Sequence, residues 1–150
     1  MSLTMQSGFT TTFDVDATPA AVFDAVTNVR GWWTGAPGDD AYVTGDSAKV
    51  GDVFVYRYAD VHRSVQRITE SVPEERVVWH VDEAALNFID DPAEWVGTDI
   101  VFDIAPLPSG HTELRFTHVG LLPAVECYDA CSNAWASYVG GSLKKLIESR

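Results

Sequence analysis

No apolar stretch in this chain approaches the length that crosses a bilayer, and no basic segment followed by an apolar run marks it for secretion. A cytoplasmic protein is therefore expected. Cationic residues are scarce: 10 Lys and Arg stand against 22 Asp and Glu, a net charge of -12. Such a surface repels phosphate backbones and anionic headgroups, so nucleic acid and membrane partners are disfavoured, and the acidity reads as a device for solubility. Only two cysteines occur, Cys127 and Cys131. Four residues apart on a helix they share a face but close a disulfide poorly, which excludes a disulfide scaffold. As half of a zinc site they lack a nearby His or Cys, so no metal is expected and two small buried side chains are the preferred reading. Absent too are G-x-S-x-G, P-loop, H-E-x-x-H and G-x-G-x-x-G patterns. Familiar hydrolase, nucleotide and metalloprotease chemistries thus lack their motifs, and no cofactor is implied.

What is present suits one domain spanning 1–150. The 150 residues are 46% hydrophobic and 21% charged, with apolar positions spread from Phe9 to Ile147, enough for one well-buried core. Residues 1–8 are expected to be disordered or in part an expression remnant, with Met5 a candidate for the natural start.

From Phe9 to Asp16, apolar and polar residues alternate with the period of a half-buried strand. Thr18-Pro19 then opens a short helix, Thr18 as cap and Pro19 in the first turn, with Val22, Phe23 and Val26 on one stripe. One further turn ending near Gly31 presents Trp32 and Trp33. Between Thr34 and Gly51, glycines, Pro37 and Asp39-Asp40 predict a loop with a short strand at Ala41–Thr44. Five strand patterns follow, over Val53–Tyr58, Ser64–Glu70, Arg76–Asp82, Thr98–Ile104 and Thr112–Val119, and short links between them predict an antiparallel meander. Asp91-Pro92-Ala93-Glu94 has the form of a helix-start box, so one helical turn is expected over an end of the sheet. After Pro123, apolar residues recur at steps of three and four to the C-terminus, the longest helix in the chain. Gly140-Gly141 weakens its middle, and a close approach or a bend would account for them.

A strand, two short helices, an antiparallel run and one long terminal helix resemble the Bet v 1-like, or START-like, arrangement: an α+β helix-grip fold, its curved sheet wrapped around the C-terminal helix. More narrowly, the chain resembles the bacterial branch of the Hsp90 ATPase activator homologue family. Three segments carry the likeness: Thr18–Val26 with Trp32-Trp33 after it, Pro73–Trp79, and Thr112–Leu121. The resemblance implies the fold over about Phe9 to Leu146 and implies a pocket for hydrophobic ligands, cyclases and hydratases being other activities of the superfamily. The branch takes its name from a eukaryotic co-chaperone with a further N-terminal domain, for which these 150 residues are expected to have no room.

Strand alternation turns Ile100, Phe102 and Ile104 inward with Asp99 and Asp103 facing water, and likewise turns Leu114, Phe116 and His118 inward. His118 can complete the core through one hydrogen bond, the commoner role of an inward histidine, or hold the polar end of a ligand. Trp32, Trp33, Tyr56, Tyr58, Trp79, Phe102, His118, Trp135 and Tyr138 are the candidate ligand-binding residues, since large rings with polar tips add apolar area and a fixed donor together. Tyr56 and Tyr58 share a strand face and stand or fall together. Glu126 could form an acid–base pair with His118, although its place near a helix start is also explained by the helix dipole. The leading expectation is a monomer or homodimer that binds a small hydrophobic or aromatic molecule between sheet and helix. A cyclase or dehydratase using His118 in the same space, or a chaperone-related interaction module, are the alternatives.

Overall fold

The computed structural model describes residues 8–33, 41–87, 89–122 and 126–149. Met5, Pro37, Asp39-Asp40 and the expected helix start after Pro123 lie outside the described residues. Seven strands form one antiparallel sheet: β1 Gly8–Val15, β2 Ala41–Gly45, β3 Val53–Tyr58, β4 His62–Val72, β5 Arg76–Leu86, β6 Asp99–Pro106 and β7 Thr112–Val119, ordered β1-β7-β6-β5-β4-β3-β2. The first strand and the last thus lie side by side, with β1 and β2 at the two edges of the sheet. This is the helix-grip α+β fold.

β4 and β5 run beyond the expected strands because their alternation is interrupted. Their pairing skips Asp82 and Thr69, and an extra residue at each point shifts which side chains face inward. Val77, Trp79 and Val81 face the core, after which Ala84 and Leu86 take over. A strict period of two cannot register that step.

Helix α1, Pro19–Thr27, begins as expected: the Thr18 hydroxyl accepts from the Ala21 amide at 3.1 Å, and Val22, Ala25 and Val26 are buried. A 3-10 turn at Val29–Gly31 delivers Trp32 and Trp33. At Gly31 a Cβ would come within 2.7 Å of Asn28 Nδ2 and 3.0 Å of Leu146 Cδ2, so the ends of those two side chains would have to shift to admit it.

The terminal helix is not uniform. It comprises α2 Tyr128–Ser137, a π-helical stretch Tyr138–Leu143 and α3 Lys144–Glu148. Cys127, Cys131, Trp135, Val139, Leu143 and Ile147 are all buried, each four residues after the last. At 3.6 residues per turn such a row would drift about 40° per step, and a wider π turn brings it back over the sheet. Gly140 and Gly141 sit in that turn, exposed, and a Cβ at either would meet nothing within 4 Å. Close approach therefore does not explain them. Among the described residues, no helix is long and apolar enough to cross a membrane.

Candidate functional site

Between β3, β4 and α2 lies a cavity of about 300 Å³. Trp33, Tyr56, His62, Trp95, Trp135 and Tyr138 form its walls, joined by Tyr58, Val61, Cys131 and the small residues Ala130 and Ala134. Ala130, Ala134 and Tyr58 are exposed, so the space opens to solvent between the helix and the β3–β4 turn. Small residues on the helix leave room that a Leu would occupy.

The walls are held by ring stacking. Trp33 lies parallel to Tyr56 with centroids 4.1 Å apart and leans on Trp135 at 5.0 Å; Trp95 stacks on Trp135 at 5.7 Å. The hydroxyls of Tyr56 and Tyr138 share a hydrogen bond of 2.8 Å, which ties β3 to the π turn.

Trp33, Tyr56, Tyr58, Trp135 and Tyr138 are thus brought together. Trp32, Trp79, Phe102 and His118 are not. Trp79 lies on the central strand β5, where Trp32, Trp33, Phe54 and Phe102 pack against it and fill the room below. Trp32 covers Phe102 edge to face and sends its indole N–H toward Val26 O at 3.4 Å. Tyr56 and Tyr58 do share a face, but Tyr56 is buried while Tyr58 is 42% exposed at the rim.

His118 lies behind the cavity wall, fully buried. Its Nδ1 accepts from the Trp135 indole N–H at 3.0 Å, which places the proton of the neutral ring on Nε2. Nε2–H then donates to Thr98 Oγ1 at 2.9 Å, and that hydroxyl donates to Trp95 O at 2.6 Å. Donors and acceptors match along the whole chain. Burial, with a smaller contribution from the nearby His62, lowers the pKa of His118 to about 3. The acid–base pair weighed for His118 and Glu126 as an alternative to a helix-dipole role does not form: Glu126 is exposed and its Oε1 accepts from the Asp90 amide at 2.8 Å. Acid–base chemistry by that pair is corrected accordingly, since both ring nitrogens are engaged elsewhere.

Two wall residues carry no clear sequence signal. His62 begins β4, ahead of the expected strand start at Ser64, but by period two it shares the inward face of Ser64 and Gln66, which are fully buried. The rings of Tyr56 and Trp95 meet it edge to face at 4.9 and 4.7 Å, and desolvation lowers its pKa to about 3 although one edge stays partly exposed. Trp95 follows the Asp91–Glu94 box, where hydrogen-bonded turns form instead of a helix. The reason is Glu94, whose carboxylate accepts from the Glu126 and Cys127 amides at 3.0 and 3.1 Å and so caps the terminal helix rather than its own turn. Cys127 and Cys131 are buried free thiols, as the spacing suggested. The thiol-to-thiol hydrogen bond, the main influence on both, lowers the pKa of Cys131 and raises that of Cys127. Among the described residues, no group of three or more His, Cys, Asp or Glu is arranged to hold a metal.

Solved structures with the same fold include the Aha1 dimer of Colwellia psychrerythraea, 23% identical, covering 95% of this chain and 96% of that one with a TM-score of 0.71. A protein of Mesorhizobium loti is 17% identical over 93% of this chain and 97% of its own, with a TM-score of 0.69. The di-domain ARO/CYC protein StfQ of the steffimycin biosynthetic pathway matches 93% of this chain and 44% of its own, 17% identical with a TM-score of 0.65. No curated protein sequence matches significantly. The sequence profile described as "Activator of Hsp90 ATPase homolog 1-like protein" matches residues 16–148, and the chain belongs to that family.

Proposed function

We propose that this protein binds a small hydrophobic or aromatic molecule in the cavity between β3, β4 and α2, with Trp33, Tyr56, Trp95, Trp135 and Tyr138 as its principal contacts and Tyr58 at the entrance. The observation that carries this reading is the space of about 300 Å³ left among so many rings, which lies at the lower end of the size of small-molecule pockets, roughly 300–1,000 Å³. The rings stack around this space rather than across it, and the small side chains of Ala130 and Ala134 keep it open. His118, Trp32, Trp79 and Phe102 support the wall from behind: His118 fixes the Trp135 indole, and the other three form the floor under Trp33. Monomer and homodimer both remain compatible with this role, and the Colwellia protein is a dimer.

The test is a panel of apolar and aromatic metabolites followed by Trp fluorescence and melting temperature. A ligand present at 100 times its Kd raises stability by about 2.7 kcal/mol, so a binder shifts the transition visibly. No response across the panel would contradict the reading.

A further inference from the structure

The inner face of β4 carries a polar row at every second residue, His62, Ser64 and Gln66, running from the cavity wall into the core. Ser64 and Gln66 are fully buried, so their hydrogen bonds must close internally. One orientation of the Gln66 amide achieves this. Its NH2 donates to Ser64 O and Phe54 O, both at 3.3 Å, and its oxygen accepts the Ser64 hydroxyl proton at 2.5 Å.

That assignment fixes the histidine. Having given its only proton to Gln66, the Ser64 oxygen can only accept, and it lies 2.8 Å from His62 Nε2. The proton of the neutral ring therefore sits on Nε2. Nδ1 is left as a bare acceptor, without a hydrogen-bond partner among the described residues, on a ring that lines the cavity. Tyr56 and Trp95 press edge to face against the ring and hold its orientation. Among the described residues no Lys or Arg lines the cavity, so an anionic ligand would lose its water there without a counter-charge.

We infer that the cavity selects neutral aromatic molecules bearing a hydroxyl donor, phenols in chemical class, with the phenolic O–H donating to His62 Nδ1 and the ring lying among Trp33, Trp95 and Trp135. Aromatic carboxylates of the same shape are rejected. The inference rests on the binding role proposed above and adds to it the polar group that the ligand must carry. A site with a fixed acceptor discriminates strongly against an analogue that lacks the donor, because the acceptor is then desolvated and unpaired.

Calorimetric titration of the protein with β-naphthol, its methyl ether and the matching naphthoate tests this. The naphthol is expected to bind about ten-fold or more tightly than the ether, the contribution of one buried hydrogen bond, and the naphthoate most weakly. In His62→Phe the ratio of naphthol to ether affinity should fall to about one, and in Ser64→Ala, where the ring is free to change tautomer, the ratio should shrink. Equal affinities of naphthol and ether for the unaltered protein overturn the inference and leave the cavity reading intact; failure of all three to bind overturns both. Should His62→Phe not fold, the naphthol-to-ether ratio of the unaltered protein decides alone.

Discussion

The indole N–H of Trp135 donates to Nδ1 of His118 at 3.0 Å, so the terminal helix is pinned to β7 through a buried hydrogen bond between the cavity wall and the layer behind it. The same histidine donates its one N–H, on Nε2, to Thr98, and the run of bonds ends on a backbone carbonyl. A wall that must stay open cannot be held by close packing alone. Directional bonds add to the ring stacking there.

Trp135→Phe should therefore destabilise more than Trp79→Phe, although both indoles are almost fully buried. The first change strands His118 Nδ1 without a donor, while the indole nitrogen of Trp79 has no partner among the described residues to lose. The expected difference is about 1 to 3 kcal/mol, read from urea unfolding of the two variants at neutral pH. Equal losses would contradict the bonding scheme.

Stability should fall as the solution is acidified through the range in which the unfolded chain takes up protons on histidine. His62 and His118 both have their pKa lowered to about 3 in the folded state, from 6.5. Between these values the unfolded state binds more protons, so this contribution is fully present above about pH 6.5 and drains away as pH falls toward 3. From about pH 7 to about pH 5 the expected loss is about 1 to 2 kcal/mol per ring, smaller for His62 because of its partly exposed edge. Urea titrations at the two pH values check the slope, and His62→Phe should flatten it.

Gly140→Ala and Gly141→Ala should each stabilise the protein by up to about 1 kcal/mol. Neither position has a positive φ, and an added methyl would meet no other atom. Only the conformational freedom of the unfolded chain is then reduced. A lowered melting temperature would show that the π turn depends on glycine.

Ala134→Leu should leave folding unchanged and weaken aromatic ligands about ten-fold or more, because the longer side chain grows from an exposed helix position into the cavity. Circular dichroism melts and a fluorescence titration separate the two effects.

The sheet was legible in the sequence where alternation is uninterrupted, as in β1, β3 and β7, and least so in β4 and β5, where bulges at Thr69 and Asp82 displace the pattern. The break in the terminal helix had a visible sign: apolar residues spaced by four from Cys127 to Ile147 cannot stay on one face of an unbroken α-helix. For the cavity, residue type identified the rings, but depth decided among them. Trp79 and Trp33 are equally aromatic, and only the crossing of β5 under the 3-10 turn makes one floor and the other wall. His118 pointed inward as alternation required, yet nothing local could tell that Trp135 would cover it. Glu94 was read for a local cap, while its partners lay 32 and 33 residues away in the chain.

The five tryptophans allow the central claim to be read residue by residue, because each contributes one indole N–H resonance in a 15N-labelled sample. Titration with β-naphthol should shift the signals of Trp33, Trp95 and Trp135, which line the cavity, much more than those of Trp32 and Trp79 in the layer beneath. Five signals that stay in place, or shifts largest at Trp32 and Trp79, would contradict a ligand in this space.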